Sequence, residues 1–407
     1  MAIIRNPLQC LSCRAKTIIR TAPGLASVQE YKFPCPGCGI EIRFSLARTK
    51  RAKTGYAFRK PVNAKWVRGE RGAIQTLNFD SFRVSPKDMT NVFSPFLSEA
   101  LKLSPQAHKA SAREEGLRRD WIEKLWPWIQ RLMIHFERRN KRLFDKEAKI
   151  EKESPNALNW GSRMALFYKL IENALNRFTL TLPADHRRVQ QRIALAQTIP
   201  GNLFDQLVEL YNSTSRMAKL WTELQSVRSE FLAYYLFLSP ILRTLYWSEP
   251  PKSLAAYQVA EKKFDELKHL YVDCFETLCR LTVIVVGLEA IVHHGKLSLP
   301  TKRGEMSLWE YEAMPNGNKP SQLIHYPVHD LFVPFMDHNL RNGIGHHSAM
   351  YDGKRDEVVY YKREQENLVE VWLPYTEFAY KVLQIYSALE LASLYFHALH
   401  IKACEAE

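Results

Sequence analysis

A chain of 407 residues is too long for one small core, so two to three domains are expected; its 46% hydrophobic and 25% charged content is that of a globular protein in water. No stretch reaches the ~20 uncharged apolar residues of a bilayer span: "FLAYYLFLSPILR" is interrupted by Pro240 and Arg243, and "LTVIVVGLEAIV" carries Glu289. The net charge of +14 is unevenly placed, with 30 Lys and Arg against 13 Asp and Glu in residues 1–150, and 27 against 30 in residues 151–407. A basic N-terminal third favours a polyanionic partner, nucleic acid first, because each neutralised phosphate releases condensed counterions. "MAIIRNPLQC" lacks the apolar run and cleavage site of a secretory signal, so a cytoplasmic protein with no membrane partner is expected.

Four of the seven cysteines fall in the first 38 residues, as "CLSC" (Cys10, Cys13) and "CPGC" (Cys35, Cys38). Each short pair makes a tight turn whose sulfurs converge, and two such knuckles complete the tetrahedron of a structural zinc ion. The β-prone pieces "KTIIR", "VQEYKF" and "IEIRFSLA" are too short to bury a core of their own, so the metal supplies the folding energy of a small β zinc ribbon. Disulfides are the competing reading, and the lack of an export signal argues against them. After the ribbon, "RFSLARTKRAKTGYAFRK" sets Arg43, Arg48, Lys50, Arg51, Lys53, Arg59 and Lys60 among aromatics, a composition suited to single-stranded nucleic acid. Residues 1–50 are thus read as a ribbon with a basic arm, and 51–110 as a mixed connector with a pair of strands between Lys65 and Val84.

From Ser111 to about residue 250 the pattern is helical. Leu117, Trp121, Leu125, Ile129, Leu132 and Phe136 recur at helical intervals, with Pro127 expected to kink or divide the helix. Trp121, Trp126 and Trp128 suit core packing better than a stacking platform. A helix opening at Ser154-Pro155, another from Pro183 to Pro200, and a long one from Leu203 to Pro240 are expected. Arg187, Arg188 and Arg192 lie on neighbouring turns, where they can meet a phosphate backbone. "SEPPKS" (248–253) reads as a linker. Cys274, Cys279 and Cys404 lack the spacing of a site and read as core residues.

Beyond the linker, "LAAYQVAEKKFDELKHLYVDCFETLCRLTVIVVGLEAIVHH" predicts a long helix divided once. A loop containing "PNGNKP" follows. Pro327 then opens a helix with a core stripe of Phe332, Met336, Leu340 and Ile344, ending in "LRNGIGHHS". "DEVVYYKR" and "NLVEVWL" predict a hairpin, and the last helix packs Phe378, Val382, Ile385, Leu389 and Ala392 inward. On a continuous helix Arg341 and His346, five apart, are rotated by about 140° and separated by about 7.5 Å of rise. Gly343 and Gly345 weaken that turn and allow His346 to swing toward Arg341. A guanidinium that never deprotonates can clamp a phosphate, and an imidazole with a pKa near ~6.5 can take and give protons. Asn342 can hold either group by hydrogen bonds. These are the groups that metal-free RNA cleavage needs: a base removes the 2′-hydroxyl proton, the oxygen attacks the adjacent phosphorus, and a cation steadies the pentacoordinate oxyanion.

The helix ending "LRNGIGHHS", the following hairpin and the closing helix resemble the HEPN domain family (higher eukaryotes and prokaryotes nucleotide-binding), over roughly residues 254–402. The resemblance implies a helical bundle over 254–407, and Arg341, Asn342 and His346 as motif residues of a metal-independent endoribonuclease, with His347 as a possible auxiliary. It also implies a homodimer with two motifs facing one RNA groove, and a defence or toxin effector with a restraining partner such as an antitoxin. The tyrosine that some family toxins carry two residues after the histidine is replaced by Ser348. The fold class expected is therefore mainly α, with a C-terminal bundle bearing a small hairpin, a helical middle and a small β zinc ribbon. A non-catalytic nucleic-acid-binding protein, which recognises through the ribbon and dimerises through the bundle, is the alternative. A metalloenzyme built on His325, His329, His338, His346 and His347 with Asp330 and Asp337 is disfavoured, because no pair of them forms a metal-binding helix of the His-Glu-x2-His type.

Overall fold

The computed structural model describes residues 4–22, 28–49, 56–69, 72–78, 82–83, 104–148, 159–244, 254, 258–259, 264–301, 304–345, 348–352, 355–364 and 367–405. Mainly α, it has small sheets, the largest of them in its N-terminal part.

Strands β1 (Ile4–Cys10), β2 (Lys16–Ala22), β6 (Ala64–Trp66) and β7 (Ala73–Asn78) form one sheet in the order β6-β1-β2-β7, in which β2 and β7 run parallel. Strands β3 (Val28–Pro34), β4 (Glu41–Arg48) and β5 (Tyr56–Phe58) form a second, antiparallel sheet. Leu8, Ile19, Tyr31, Phe33, Ile42, Phe44 and Leu46 alternate inward to make a small core, which Phe237 of a later helix also touches. β8 (Phe82–Arg83) pairs with β9 (Gln258–Val259). The stretch containing β9 was expected to be helical.

The helices are α1 (Pro105–Asp120), α2 (Trp126–Glu137), α3 (Lys141–Glu147), α4 (Trp160–Leu175), α5 (Pro183–Thr198), α6 (Leu203–Asn212), α7 (Arg216–Arg243) and α8 (Phe264–His294), then the short α9 (Leu308–Ala313), α10 (Pro320–Leu323) and α11 (His338–Gly345), and last α12 (Tyr375–Glu405). A π-turn, Trp121–Leu125, joins α1 to α2 through continuous helical backbone, and Pro127, which cannot donate an N–H to the preceding turn, follows directly after it. Trp121 and Trp126 are buried and stacked at 5.6 Å, so they are core. Asn159 caps α4 (Oδ1 accepting from Ser162 N, 2.8 Å), and the Ser154-Pro155 start lies outside the described residues.

The long helix expected from Leu203 is two helices. Thr214 Oγ1 bonds back to Leu210 O (2.9 Å) and Ser215 is left-handed (φ 58°), so the "NSTS" stretch makes a turn. Pro240 lies inside α7 instead of ending it. α8 is undivided. The two longest helices, α8 and α12, pack in parallel: Phe264 and Tyr271 meet Phe378 (5.4 and 6.4 Å) and Tyr395 reaches Glu289 (3.2 Å). Against α12, α7 runs antiparallel (Arg228 to Glu390, Trp221 to His400), and so does α4 (Tyr168 to His400, Leu180 N to Ser387). One core therefore runs from Trp121 to Cys404, and Cys274, Cys279 and Cys404 are buried in it.

Pro327 does not open a helix. Residues 329–331 and 333–335 are 3₁₀ turns, because Pro334 removes an N–H from any continuing ladder, and α11 begins only at His338. The stripe survives the change: Phe332, Met336, Leu340 and Ile344 are all buried. The hairpin is present as β13 (Glu357–Glu364) and β14 (Asn367–Pro374), with β12 (Met350–Asp352) on its edge; β10 (Ser298–Thr301) and β11 (Gly304–Ser307) form another.

Candidate functional site

Two turns of the same construction bring the four cysteines together. Cys10 N donates to Ala15 O (3.0 Å) and Arg14 N to Cys10 O (3.2 Å); Cys35 N donates to Ile40 O and Gly39 N to Cys35 O (both 2.8 Å). The residue four past the first cysteine is left-handed in both, Arg14 (φ 61°) and Gly39 (φ 75°). A Cβ on Gly37 would lie 2.9 Å from Ala15 Cβ and 3.0 Å from Cys13 Sγ, so the knuckles meet only because this residue is glycine. All four Sγ atoms lie within 4.8 Å of one another, with Cys10 to Cys38 at 3.8 Å and Cys13 to Cys35 at 3.5 Å. Disulfides need ~2.0 Å; a tetrahedron with ~2.3 Å metal–sulfur bonds has edges of about 3.8 Å. The Ile40 N–H holds the Cys38 thiol down at about 7. Cys13 accepts from Ala15 N–H, yet the crowding thiols push it up to about 12. Four sulfurs this close ionise together only around a cation, and the donor set suits a structural metal with no open coordination position.

Of the basic arm, Arg43 is exposed and ion-paired with Glu41, and Arg59 and Lys60 are exposed. Arg48 ends β4, and Lys50, Arg51 and Lys53 lie outside the described residues. On the outward face of the first sheet, Lys65 and Lys16 flank Gln9 across three strands and both are exposed.

The motif arginine lies on α11, whose start is fixed by Asp337: its Oδ1 accepts from Leu340 N (3.1 Å), its carbonyl from Arg341 N (3.1 Å), and its Oδ2 pairs with Lys381 (3.2 Å). Arg341 Nε donates to Glu276 Oε1 of α8 (2.7 Å), and Arg341 Nη1 to Asn342 Oδ1 (3.1 Å). Glu276 is held in turn by the Asn316 amide. The guanidinium lies along the last turn of α11, since a Cβ on Gly345 would sit 3.6 Å from Arg341 Nη1. Its side chain is 31% exposed. Arg341 and Asn342 are thus together, while His346 and His347 lie outside the described residues.

The glycines do not unwind the helix as expected: α11 remains helical through Gly345. A Cβ on Gly343 would come within 2.9 Å of Tyr360 Cβ, so this glycine lets α11 approach β13. Ser348 N (2.9 Å), Ala349 N (3.0 Å) and Ser348 Oγ (2.9 Å) all donate to Gly343 O and close the helix end.

Several of the other candidate residues are engaged elsewhere. His329 bonds its ring to Tyr326 O (2.9 Å), and Asp330 pairs with Arg188 (2.8 Å). Among the described residues the four cysteines are the one group placed to hold a metal; His325, His329, His338, Asp330 and Asp337 do not converge. Arg188 is tied up by Asp330 at the surface and Arg192 is turned onto Glu289 (2.6 Å) and His293 (2.6 Å), while Arg187 stays exposed. Sequence reasoning passed over Glu276 and Asn316. No local signal marked Glu276, because α8 also carries Asp265, Glu266, Lys268, Asp273, Arg280 and Glu289. No family model, curated protein or solved structure matches the chain.

Proposed function

We propose that the chain is a metal-independent endoribonuclease of the HEPN type, acting in the cytoplasm as a homodimer and serving as a defence or toxin effector under the restraint of a partner protein. Arg341 clamps the scissile phosphate and steadies the oxyanion, His346 transfers the proton of the 2′-hydroxyl, Asn342 orients them, and His347 is auxiliary. The four-cysteine cluster holds one structural zinc ion, and the basic N-terminal module recognises RNA. The observation that supports this reading most is the Arg341 guanidinium. Its orientation is fixed by Glu276 and Asn342, a third of it stays open to solvent, and it ends on the residue before His346. An arginine held this way presents its remaining N–H groups to a phosphate without reorganisation.

The pairing with Glu276 favours a second reading, a nucleic-acid-binding protein without catalysis, because a phosphate has to compete with that carboxylate. Wild type, Arg341→Ala and His346→Ala, each assayed on end-labelled RNA in EDTA, decide between them. Cleavage by wild type and a drop of 10²-fold or more in both variants is the outcome for a nuclease. Binding without cleavage in all three proteins establishes the second reading. Cleavage that persists in both variants refutes the site.

A further inference from the structure

Between Arg131 and Glu147, where α2 turns into α3, six cations stand against three carboxylates. The turn is fixed. Arg139 is left-handed (φ 52°), its N–H donates to Phe136 O (2.8 Å), Asn140 N donates to His135 O (2.9 Å), and Asn140 Oδ1 accepts from Leu143 N (3.1 Å). Beneath it Phe136 and Trp160 meet edge to face at 5.2 Å, and the Arg139 and Lys141 side chains lie over the Trp160 ring at 5.6 and 5.7 Å. Phe144 is buried and holds α3 against the core. Arg142 and Lys146, one turn apart on the opposite face of α3, are exposed, as is Arg138.

The three carboxylates are engaged with other groups. Asp145 accepts from Arg163 Nε (2.7 Å) and Nη2 (2.6 Å), Glu147 takes Arg131 (2.7 Å), and Glu137 Oε1 accepts from Trp221 Nε1 (3.1 Å). Arg138, Lys141, Arg142 and Lys146 are thus left without an ion pair among the described residues. Like charges four apart, such as Arg142 and Lys146, weaken a helix. Their complement is a repeating anion, and a turn held this firmly presents its cations without reorganisation. Trp160 and Phe136 are buried, so neither ring offers a face on which a base could stack. What remains is contact with a phosphate backbone, which is blind to sequence.

We propose that the α2–α3 turn is a nucleic-acid contact additional to the N-terminal module, at which Arg138, Arg142 and Lys146 neutralise backbone phosphates. Arg139 and Lys141, resting on Trp160, shape the turn and add to its field. That the strand is RNA rests on the function proposed above; the phosphate contact itself does not.

The test uses the full chain and two 2′-O-methyl RNA oligonucleotides of unrelated sequence, which cannot be cleaved, with affinity followed from about 50 to 200 mM salt. The double variant Arg138→Gln, Arg142→Gln is expected to keep the wild-type melting temperature and to bind both oligonucleotides at least about tenfold more weakly at the low-salt end. Its slope of log K against log salt should flatten by about 1.4, two single-strand contacts at ~0.7 each. The double variant Lys268→Gln, Lys296→Gln removes the same net charge from lysines already paired with Asp265 and Glu305, and is expected to bind as wild type. Equal losses in the two variants assign the effect to net charge and overturn the proposal, as does unchanged affinity in the arginine variant. A loss confined to one sequence overturns a backbone contact. Vesicles of phosphatidylcholine and phosphatidylserine form a further arm: an arginine variant that loses vesicle binding but keeps both oligonucleotides gives the surface to a membrane and refutes the site. Should the arginine variant fail to fold, trace acetylation of wild-type lysines read by mass spectrometry decides. The oligonucleotide is expected to protect Lys146 and to leave Lys268 reactive; an unprotected Lys146 refutes the site. Binding that depends on Arg138 and Arg142 in a protein that leaves RNA intact sinks the nuclease reading alone. Cleavage abolished by Arg341→Ala, with binding indifferent to those two arginines, sinks this site alone.

Discussion

Tyr168 and His397 stack at 3.8 Å in the middle of the helical body, and around them the protein buries a polar network in place of apolar side chains. Arg228 is fully buried and donates to Glu390 (2.7 Å), to Ser393 (3.1 Å) and to His397 Nε2 (3.2 Å), while His397 Nδ1 faces Glu172 (2.8 Å). An Nε2 that accepts from a guanidinium leaves the proton on Nδ1, so His397 is neutral. Burial lowers the affinity of His397 for a second proton, and burial above all, with the nearby Arg139, takes His400 down to about 3. Both folded values lie below the unfolded ~6.5, so unfolding takes up protons. The stability these residues supply is complete above about pH 6.5 and is lost as pH falls toward 3. We expect the melting temperature to drop steadily between pH 7 and pH 4. His400→Phe, which forfeits the Tyr168 hydrogen bond at about 1 kcal/mol, should flatten that slope; an unchanged slope excludes His400 as a source of acid lability.

Among the elements, α11 separates two roles that glycine plays. The sequence shows both glycines and suggests a softened helix end, but it cannot show that β13 crosses α11 at Gly343. Gly343→Ala should destabilise by about 1–3 kcal/mol, because backbone or Tyr360 has to move. Gly345→Ala meets only the Arg341 guanidinium at contact distance and should be neutral or gain up to ~1 kcal/mol of helix propensity. Equal effects in chemical denaturation would restore the softening explanation. The same divide between local and long-range information governs the rest of the chain. Cys10, Cys13, Cys35 and Cys38 were readable because the chemistry resides in spacing, and the stripe from Phe332 to Ile344 because burial resides in periodicity. The 3₁₀ turns before α11 were missed because the apolar period outweighed Pro334. β1 was missed because Pro7 and Arg5 disguise a strand that only its neighbours justify. Glu276 meets Arg341 through a contact between segments 65 residues apart, which no local pattern encodes.

At the scale of the molecule, the linker-like "SEPPKS" stretch suggests that the motif-bearing part is a unit, yet the buried surfaces do not respect it. α12, the helix at the centre, is covered on one flank by α8 and on others by α4 and α7, through the Phe231–Tyr386 stack (3.6 Å), the Arg228–Glu390 pair and the Tyr168–His400 hydrogen bond (2.7 Å). A fragment comprising residues 254–407 would uncover Tyr386, His397 and His400 and leave Glu390 without Arg228. Removing one partner of a buried ion pair costs ~3–5 kcal/mol, comparable to the whole stability of many domains. We therefore expect that fragment to aggregate or to lack a cooperative transition, and residues 104–407 to melt in one step. A soluble, cooperatively unfolding 254–407 fragment would show that the covering helices are dispensable. In that case α4 and α7 are an appendage to the motif-bearing bundle, joined to it by a dissociable contact instead of a shared core.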